Sequence, residues 1–258
     1  MQLSLRLSAI ADMVTKGNRL VDVGCDHGYL PVYLIQQKKI PSAVAMDVRK
    51  GPLSRAKEHI RQYGLEKYIQ TRLSDGLSAL EAGEGDTLVI AGMGGPLMER
   101  ILTDGQSVRD SFSELILQPQ SDIPHFRRYI QSQGWKIAEE KMVEEDGKFY
   151  PMMRVIKEER ERPEFLGAEI SLADGIGQEN AKGVNAEAPY TLAEAFGAFL
   201  LEEHNPVLYR YLQREARIRE NILKQLEAAP VAEAVSARIR EVKEEAQLIS
   251  AALAEYEG

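Results

Sequence analysis

Leu20-Val-Asp-Val-Gly-Cys-Asp-His-Gly-Tyr29 is the stretch on which the reading of this chain turns. A short apolar run, Arg19–Val23, enters Asp22-x-Gly24-x-x-x-Gly28, and a helical pattern follows directly. Glycines at such a junction let the chain turn sharply and bring bare backbone close to a ligand. The run is apolar on both faces, as a strand covered by helices on either side should be. Similar runs recur at Ser42–Asp47, Ile69–Leu73, Asp86–Ile90 and Glu114–Gln118, alternating with helix-like Pro31–Lys38, Gly51–Gly64, Gly95–Asp104 and Asp122–Gly134. Pro31 and Pro52 sit near helix starts, and Gly64 and Gly134 at helix ends. This alternation predicts an α/β fold with a mostly parallel, doubly wound sheet. Trp135–Val143 and Phe149–Ile156, joined through Asp146-Gly147, then predict a terminal antiparallel hairpin.

Outward from the first strand, acidic residues mark the next two strand ends. Asp47, followed by Val48, lies where a carboxylate hydrogen-bonds a pair of ribose hydroxyls. Ser74-Asp75-Gly76 follows the third strand, within reach of an adenine N6. At a topological switch point these three elements converge on one crevice, with Asp22 supporting the glycine turn. An accidental turn beside a surface acid explains any one of them, but not all three at the right strand ends. The loop Gly24-Cys25-Asp26-His27-Gly28 also departs from G-x-G-x-x-G, and the Asp26 carboxylate would repel a diphosphate. A phosphate-free cofactor with a cationic centre, S-adenosyl-L-methionine, fits better. The fourth strand ends in Ala91-Gly92-Met93-Gly94-Gly95-Pro96. Enzymes that methylate exocyclic amines typically carry Asn/Asp-Pro-Pro-aromatic there. Three glycines predict instead an open floor for a flat ring and a ring-nitrogen or other acceptor.

Composition bounds the rest. The chain has 258 residues, 44% hydrophobic and 28% charged, ordinary for a soluble globular protein. Its longest stretch free of Asp, Glu, Lys and Arg, Thr87–Met98, is too short to span a bilayer. Arg6 interrupts the residues before Ala9-Ile10-Ala11, so no signal sequence is expected. A single cysteine and four histidines exclude a disulfide framework and make a structural metal site unexpected. The expectation is a cytoplasmic protein without membrane or metal partners. Net charge is −8, yet residues 1–72 hold twelve Lys/Arg against six Asp/Glu, a locally basic front.

Leu3, Leu7, Ile10, Met13 and Val14 share one face of an N-terminal amphipathic helix. Residues 160–190 show little periodicity and read as a linker or flexible insertion. They divide a domain at 1–159 from a C-terminal helical part at 191–258. There Val235, Ile239, Val242, Ala246, Ile249, Leu253 and Tyr256 form a heptad seam, and Leu208, Tyr211, Ile218 and Ile222 a less regular stripe. The short break at Ala228-Ala229-Pro230 implies an antiparallel coiled-coil hairpin, although the seam can equally pair between chains. Arg210, Arg214, Arg217 and Lys224, with Asn221, line a neighbouring face. They are either a solvated surface or a phosphate track.

The N-terminal arm, Asp22-Val-Gly-Cys-Asp-His-Gly-Tyr29, Ala91-Gly-Met-Gly-Gly95 and the helical tail together resemble the bacterial tRNA (adenine(22)-N1)-methyltransferase family, over roughly residues 1–156 and 189–258. The resemblance implies a Rossmann-like class I methyltransferase domain, S-adenosyl-L-methionine as cofactor and N1 methylation of an adenine in the tRNA D-arm. It also implies a coiled-coil extension that helps hold the tRNA. Transfer to an adenine N1 needs alignment and a favourable field rather than a protein nucleophile. Tyr29 as a stacking or hydrogen-bonding platform, Asp26 and His27 stand at the loop mouth for such work, with the division of roles open. Cofactor contacts are expected from Asp22, Gly24, Cys25, Asp26, Gly28, Asp47, Val48, Ser74, Asp75, Gly76, Ala91, Gly92, Met93 and Gly94. Phosphate contacts are expected from Arg6, Lys16, Arg49, Lys50 and the stripe Arg210, Arg214, Arg217 and Lys224. A monomer is expected, with self-association through the hairpin as the other course. A small-molecule methyltransferase would leave the basic front idle, and a non-catalytic adaptor would have no use for Asp47 and Asp75.

Overall fold

The computed structural model describes residues 1–157, 189–228, 230 and 232–257. The linker expected at 160–190 lies outside them, apart from its last two positions. The chain divides into two compact units, Met1–Arg160 and Glu161–Gly258.

In the first unit the elements run α1 (Leu5–Met13), β1 (Leu20–Val23), α2 (Tyr29–Gln36), β2 (Ala43–Asp47), α3 (Lys50–Gln62) and β3 (Ile69–Leu73). They continue through β4 (Thr87–Met93), α4 (Gly95–Asp104), α5 (Gln106–Arg109), β5 (Glu114–Pro119), α6 (Ile123–Ser132), β6 (Lys136–Glu145) and β7 (Lys148–Ile156). The strands form one sheet in the order β3-β2-β1-β4-β5-β7-β6. The first five are parallel, and β7 runs antiparallel between β5 and β6. The hairpin turn has Asp146 and Gly147 both at positive φ, 51° and 70°, the conformation that matches strand twist. After β3 the chain returns to the middle of the sheet, so β1 and β4 are neighbours whose following helices leave in opposite directions. The crevice at their carboxyl ends is the switch point.

β1, β2 and β5 are buried along their whole length, which explains their unbroken apolar runs. One core cluster holds Val21, Leu88, Ile90, Met98, Phe126 and Trp135, and the other Ile10, Leu20, Leu34, Ala45, Ala56 and Val89. The second cluster takes in Ile10, Ala11, Met13 and Val14, so α1 is part of this unit's core. Its start is capped by Ser4 and tied by the Leu5 amide to Glu145 Oε1 at 2.6 Å. β4 runs three residues past its expected end, with a register shift between Ala91 and Met93 where Gly92 takes φ +79°. α5 is a short helix that Gln106–Arg109 did not announce.

The second unit contains α7 (Leu192–Phe196), α8 (Ala198–Glu202), α9 (Pro206–Glu227) and α10 (Glu233–Ala254). α9 and α10 pack on each other antiparallel: Tyr256 Oη donates to the Asn205 carbonyl, and Arg219 Nε donates to Glu245 Oε2 at 2.8 Å. Val242 and Ile249 of the expected seam are buried. The α9 stripe needs correction. Its buried residues are Leu208, Leu212 and Glu215, while Ile218 is 38% exposed. The inward row follows the heptad 208, 212, 215, 219, and its polar members hid it: Glu215 pairs with Arg219, which reaches Glu245. α7 and α8 were also not foreseen, although Thr191-x-x-Glu194 closes a full capping box on α7.

Candidate active site

The cavity is made by the backbone that leaves each strand. After β1, Gly24 takes φ +77°, and the amides of Gly24 and Cys25 both donate to the Met46 carbonyl, at 2.8 and 2.9 Å. This locks the loop to β2. Asp26 follows at φ +47°, a left-handed conformation uncommon for a side-chain-bearing residue and worth noting beside a functional crevice. At the end of β2 the Asp47 carboxylate is buried, and its Oδ1 accepts from the Arg49 amide at 2.8 Å. Beyond β3, the Ser74 hydroxyl donates to the Gly76 carbonyl and accepts from the Ala79 amide. That turn holds Asp75 out at the rim, 3.7 Å from Arg100 Nη2.

A cavity of about 610 Å³ lies over these ends. Gly24 and Asp26 wall it from the first loop, Asp47, Val48 and Arg49 from the second, and Ser74, Asp75 and Gly76 from the third. Ala91, Gly92 and Met93 close its base. α1 sends Arg6 into the same space, where Nη1 donates to Gln118 Oε1 at 3.2 Å and the guanidinium lies 5.7 Å from the Tyr150 ring centre. Beneath the cavity Asp22 is buried, and burial raises its carboxyl from 3.8 to about 7 despite the nearby positive charge of Arg6. Among the described residues no cluster of His, Cys, Asp and Glu can hold a metal ion, and no helix is long and apolar enough to cross a membrane.

Several expected site residues lie elsewhere. The Cys25 side chain is buried in the α1–α2 core, and burial raises its thiol far above the ordinary range. Gly28 takes φ +67°, which strains any side chain, while a Cβ there would meet Ala56 Cβ at an ordinary 3.4 Å, so the turn rather than packing requires its glycine. Gly94 and Gly95 make room for Ser121, and of the three glycines expected to form an open floor only Gly92 reaches the cavity. Asp22 is under the wall rather than in it. Tyr29 and His27 stand outside, stacked on each other with ring centres 5.2 Å apart. Lys50 begins α3 on the exposed surface.

Arg6 and Lys16, grouped by charge in the sequence, part company. Ten residues of mostly helical chain separate them by about 15 Å. Arg6 lands at the carboxyl edge of the sheet, while Lys16 lands at the amino edge in a separate cavity with Lys38 and Lys39. Arg210, Arg214, Arg217 and Lys224 are all exposed along α9. Arg214 there donates to Glu215, and Lys224 pairs with Glu220. Leu97, Arg100 and Ile101 of α4 and Gln120 after β5 complete the cavity. Gln120 had a legible signal, since it follows the fifth parallel strand at its carboxyl end.

The reversed strand at one side of this sheet, and the crevice over β1 and β4, define a class I methyltransferase fold. Residues 3–153 match the methyltransferase-domain family. The chain belongs, more narrowly, to the tRNA (adenine(22)-N1)-methyltransferase family. It is 30% identical over 249 residues to the Bacillus subtilis tRNA (adenine(22)-N(1))-methyltransferase, covering 96% of each chain. The crystal structure of the B. subtilis m1A22 tRNA methyltransferase superposes with a TM-score of 0.78 at 29% identity, over 98% of this chain and 99% of that one. A Streptococcus pneumoniae chain in complex with S-adenosyl-L-methionine superposes with a TM-score of 0.77 at 31% identity, over 98% and 100%.

Proposed function

We propose that this chain is an S-adenosyl-L-methionine-dependent tRNA methyltransferase acting on N1 of adenine 22 in the D-arm. The observation that carries the reading is the cavity, in which three loops from three successive strands place Asp26, Asp47 and Asp75 around one space. Arg6, Arg49 and Arg100 share its walls. A lining of both signs suits a ligand that itself carries a carboxylate, an ammonium and a sulfonium. In this reading Asp47 holds the ribose hydroxyls, Asp75 the exocyclic amine of the cofactor adenine, and Asp26 the methionine ammonium.

The bound cofactor supplies an electrophilic methyl group. Adenine N1 offers an in-plane lone pair, so the protein needs no nucleophile. The Cys25 thiol is protonated at neutral pH and buried, and the Ser74 hydroxyl is spent on its own turn. What the chain contributes is alignment and exclusion of water. Gly92 at the β4 bulge, with Arg6 and Gln120 beside it, forms the face toward the acceptor base. Extruding a stacked base costs a few kcal/mol, which phosphate contacts from Arg49, Lys50 and the α9 stripe offset. Tyr29 and His27 sit at the lip to receive the RNA. The same division assigns catalysis to residues 1–159 and RNA holding to the hairpin within 191–258. The chain acts in the cytoplasm and as a monomer, the latter supported by α9 packing against α10, where Val242 and Ile249 of the seam are buried.

The test is incubation of the purified chain with labelled S-adenosyl-L-methionine and unmodified tRNA, followed by nucleoside analysis. N1-methyladenosine is expected, with loss of about 100-fold or more in Asp47→Ala, the scale of two lost charge-assisted hydrogen bonds. Tight cofactor binding without transfer to any tRNA would overturn the substrate assignment.

A further inference from the structure

Asp26 belongs to the cavity wall, and a row of rings starts beside it and runs outward. His27 stacks on Tyr29 with centres 5.2 Å apart. Tyr29 meets the edge of His59 at 4.9 Å, and His59 meets Tyr63 at 5.0 Å. Four aromatic side chains from the first loop, α2 and α3 thus form one continuous surface. Arg55 and His59 on α3 and Tyr63 at its C-terminal cap follow one another at four-residue steps, so the helix period places these three on one flank. The His59 ring is fixed by Nδ1, 3.1 Å from the His27 carbonyl, which can only accept. Tyr29 and Tyr63 are nonetheless 41% and 42% exposed, so ring surface along the row stands open to solvent.

The surroundings are cationic at the cavity end. The Asp26 carboxylate lies 3.5 Å from Arg55 Nη2 and 3.7 Å from His27 Nε2, which joins the row to the cavity wall. Arg55 and Arg49 are each at least half exposed. Ring faces in water beside guanidinium groups are what a single-stranded nucleic acid uses: bases stack on the rings and phosphates meet the cations.

We propose that the row His27, Tyr29, His59 and Tyr63 holds an unpaired tRNA nucleotide flanking the methylated adenine by stacking, with Arg55 drawing its phosphate. This rests on the tRNA reading above. A base that leaves its stack to enter the cavity loses its neighbours, and a platform at the lip offers the flanking base a replacement surface. Tyr63 stands at the far end of the row, away from the cofactor, so its contribution is separable from cofactor binding.

The test measures tRNA affinity and its salt dependence for the full-length chain, with cofactor affinity measured in parallel. Tyr63→Ala is expected to weaken tRNA binding about 10-fold with an unchanged salt slope, because stacking releases no counterions. Tyr63→Phe should restore affinity to within about twofold, as the ring face is kept. Arg55→Ala should lower the magnitude of the salt slope by about one. Unchanged cofactor affinity in Tyr63→Ala certifies the fold. If the wild-type chain methylates tRNA and Tyr63→Ala binds it as tightly as wild type does, this inference fails alone. If the wild-type chain binds cofactor but methylates no tRNA, the functional reading fails and takes the inference with it.

Discussion

The two edges of the parallel sheet are built on opposite principles. At the carboxyl edge the chain turns through left-handed backbone at Gly24, Asp26, Gly76 and Gly92, and leaves Asp26, Asp75, Arg49 and Arg100 largely exposed around a cavity. At the amino edge polar groups are closed on each other. Buried Glu114 accepts from the Thr15 amide at 2.9 Å, the Thr15 hydroxyl at 2.7 Å and the Thr87 hydroxyl at 2.6 Å, and Arg154 lies 3.6 Å away. Asp86 receives Arg19 through its backbone amide, Nε and Nη2. One edge spends conformational strain and solvated charge on a binding space, and the other is satisfied internally and fastens the strand starts. The lesson is that charge alone does not mark function in this fold; the strand end on which a charge sits does.

Substitutions on the two edges should therefore separate stability from binding. The largest effect is expected at the amino edge. Glu114→Ala removes the acceptor of the Thr15 amide and of the Thr15 and Thr87 hydroxyls, leaves Arg154 paired with Glu139 alone, and should cost about 3–5 kcal/mol in urea unfolding. Cofactor affinity of the folded protein should not change; a matching loss of affinity would break the comparison. Asp22 comes next. Burial raises its folded-state carboxyl from 3.8 to about 7, so between those values the folded chain keeps a proton that the unfolded chain has released. Stability then falls as pH rises through that window and levels off above it, by a total on the order of 4 kcal/mol. Asp22→Asn should flatten this slope, as read from unfolding midpoints between pH 4 and pH 8.

Gly28→Ala should cost about 1–2 kcal/mol, because φ +67° is strained for any side chain, while changing cofactor affinity less than about threefold. A larger loss of affinity in calorimetric titration would return Gly28 to the cofactor site. The smallest contrast compares single cations. Arg49→Ala at the cavity lip should raise the tRNA KM by about threefold, the scale of one phosphate contact, and Lys16→Ala at the opposite edge by less than twofold. Equal effects would show that RNA reaches both edges.

Much of the first unit is legible in the sequence. Asp22-x-Gly24-x-x-x-Gly28, Asp47 and Asp75 occupy strand ends, and strand ends are set by local apolar runs and glycine punctuation. The hairpin at Asp146-Gly147 was legible for the same reason. The inward face of α9 is not legible there, because Glu215 and Arg219 occupy heptad positions that a hydrophobic pattern passes over. Gly94 reads as a ligand glycine because sequence shows that a side chain is missing, not that Ser121 fills the space, and Gly28 does so because sequence does not show that its backbone needs positive φ.

The sequence by itself determined the alternation of strands and helices, the turn after the first strand, the acidic residues at the next two strand ends and the heptad of the last helix. All of these are local, governed by backbone geometry and by the period of burial along one element. Only the tertiary structure decided that β7 inserts between β5 and β6, that α1 carries Arg6 to the cavity and Lys16 away from it, and that His59 and Tyr63 join Tyr29 and His27 in one surface. Those arrangements join residues distant in sequence, and they follow from how whole elements bury their apolar faces against one another, which no single stretch of chain encodes.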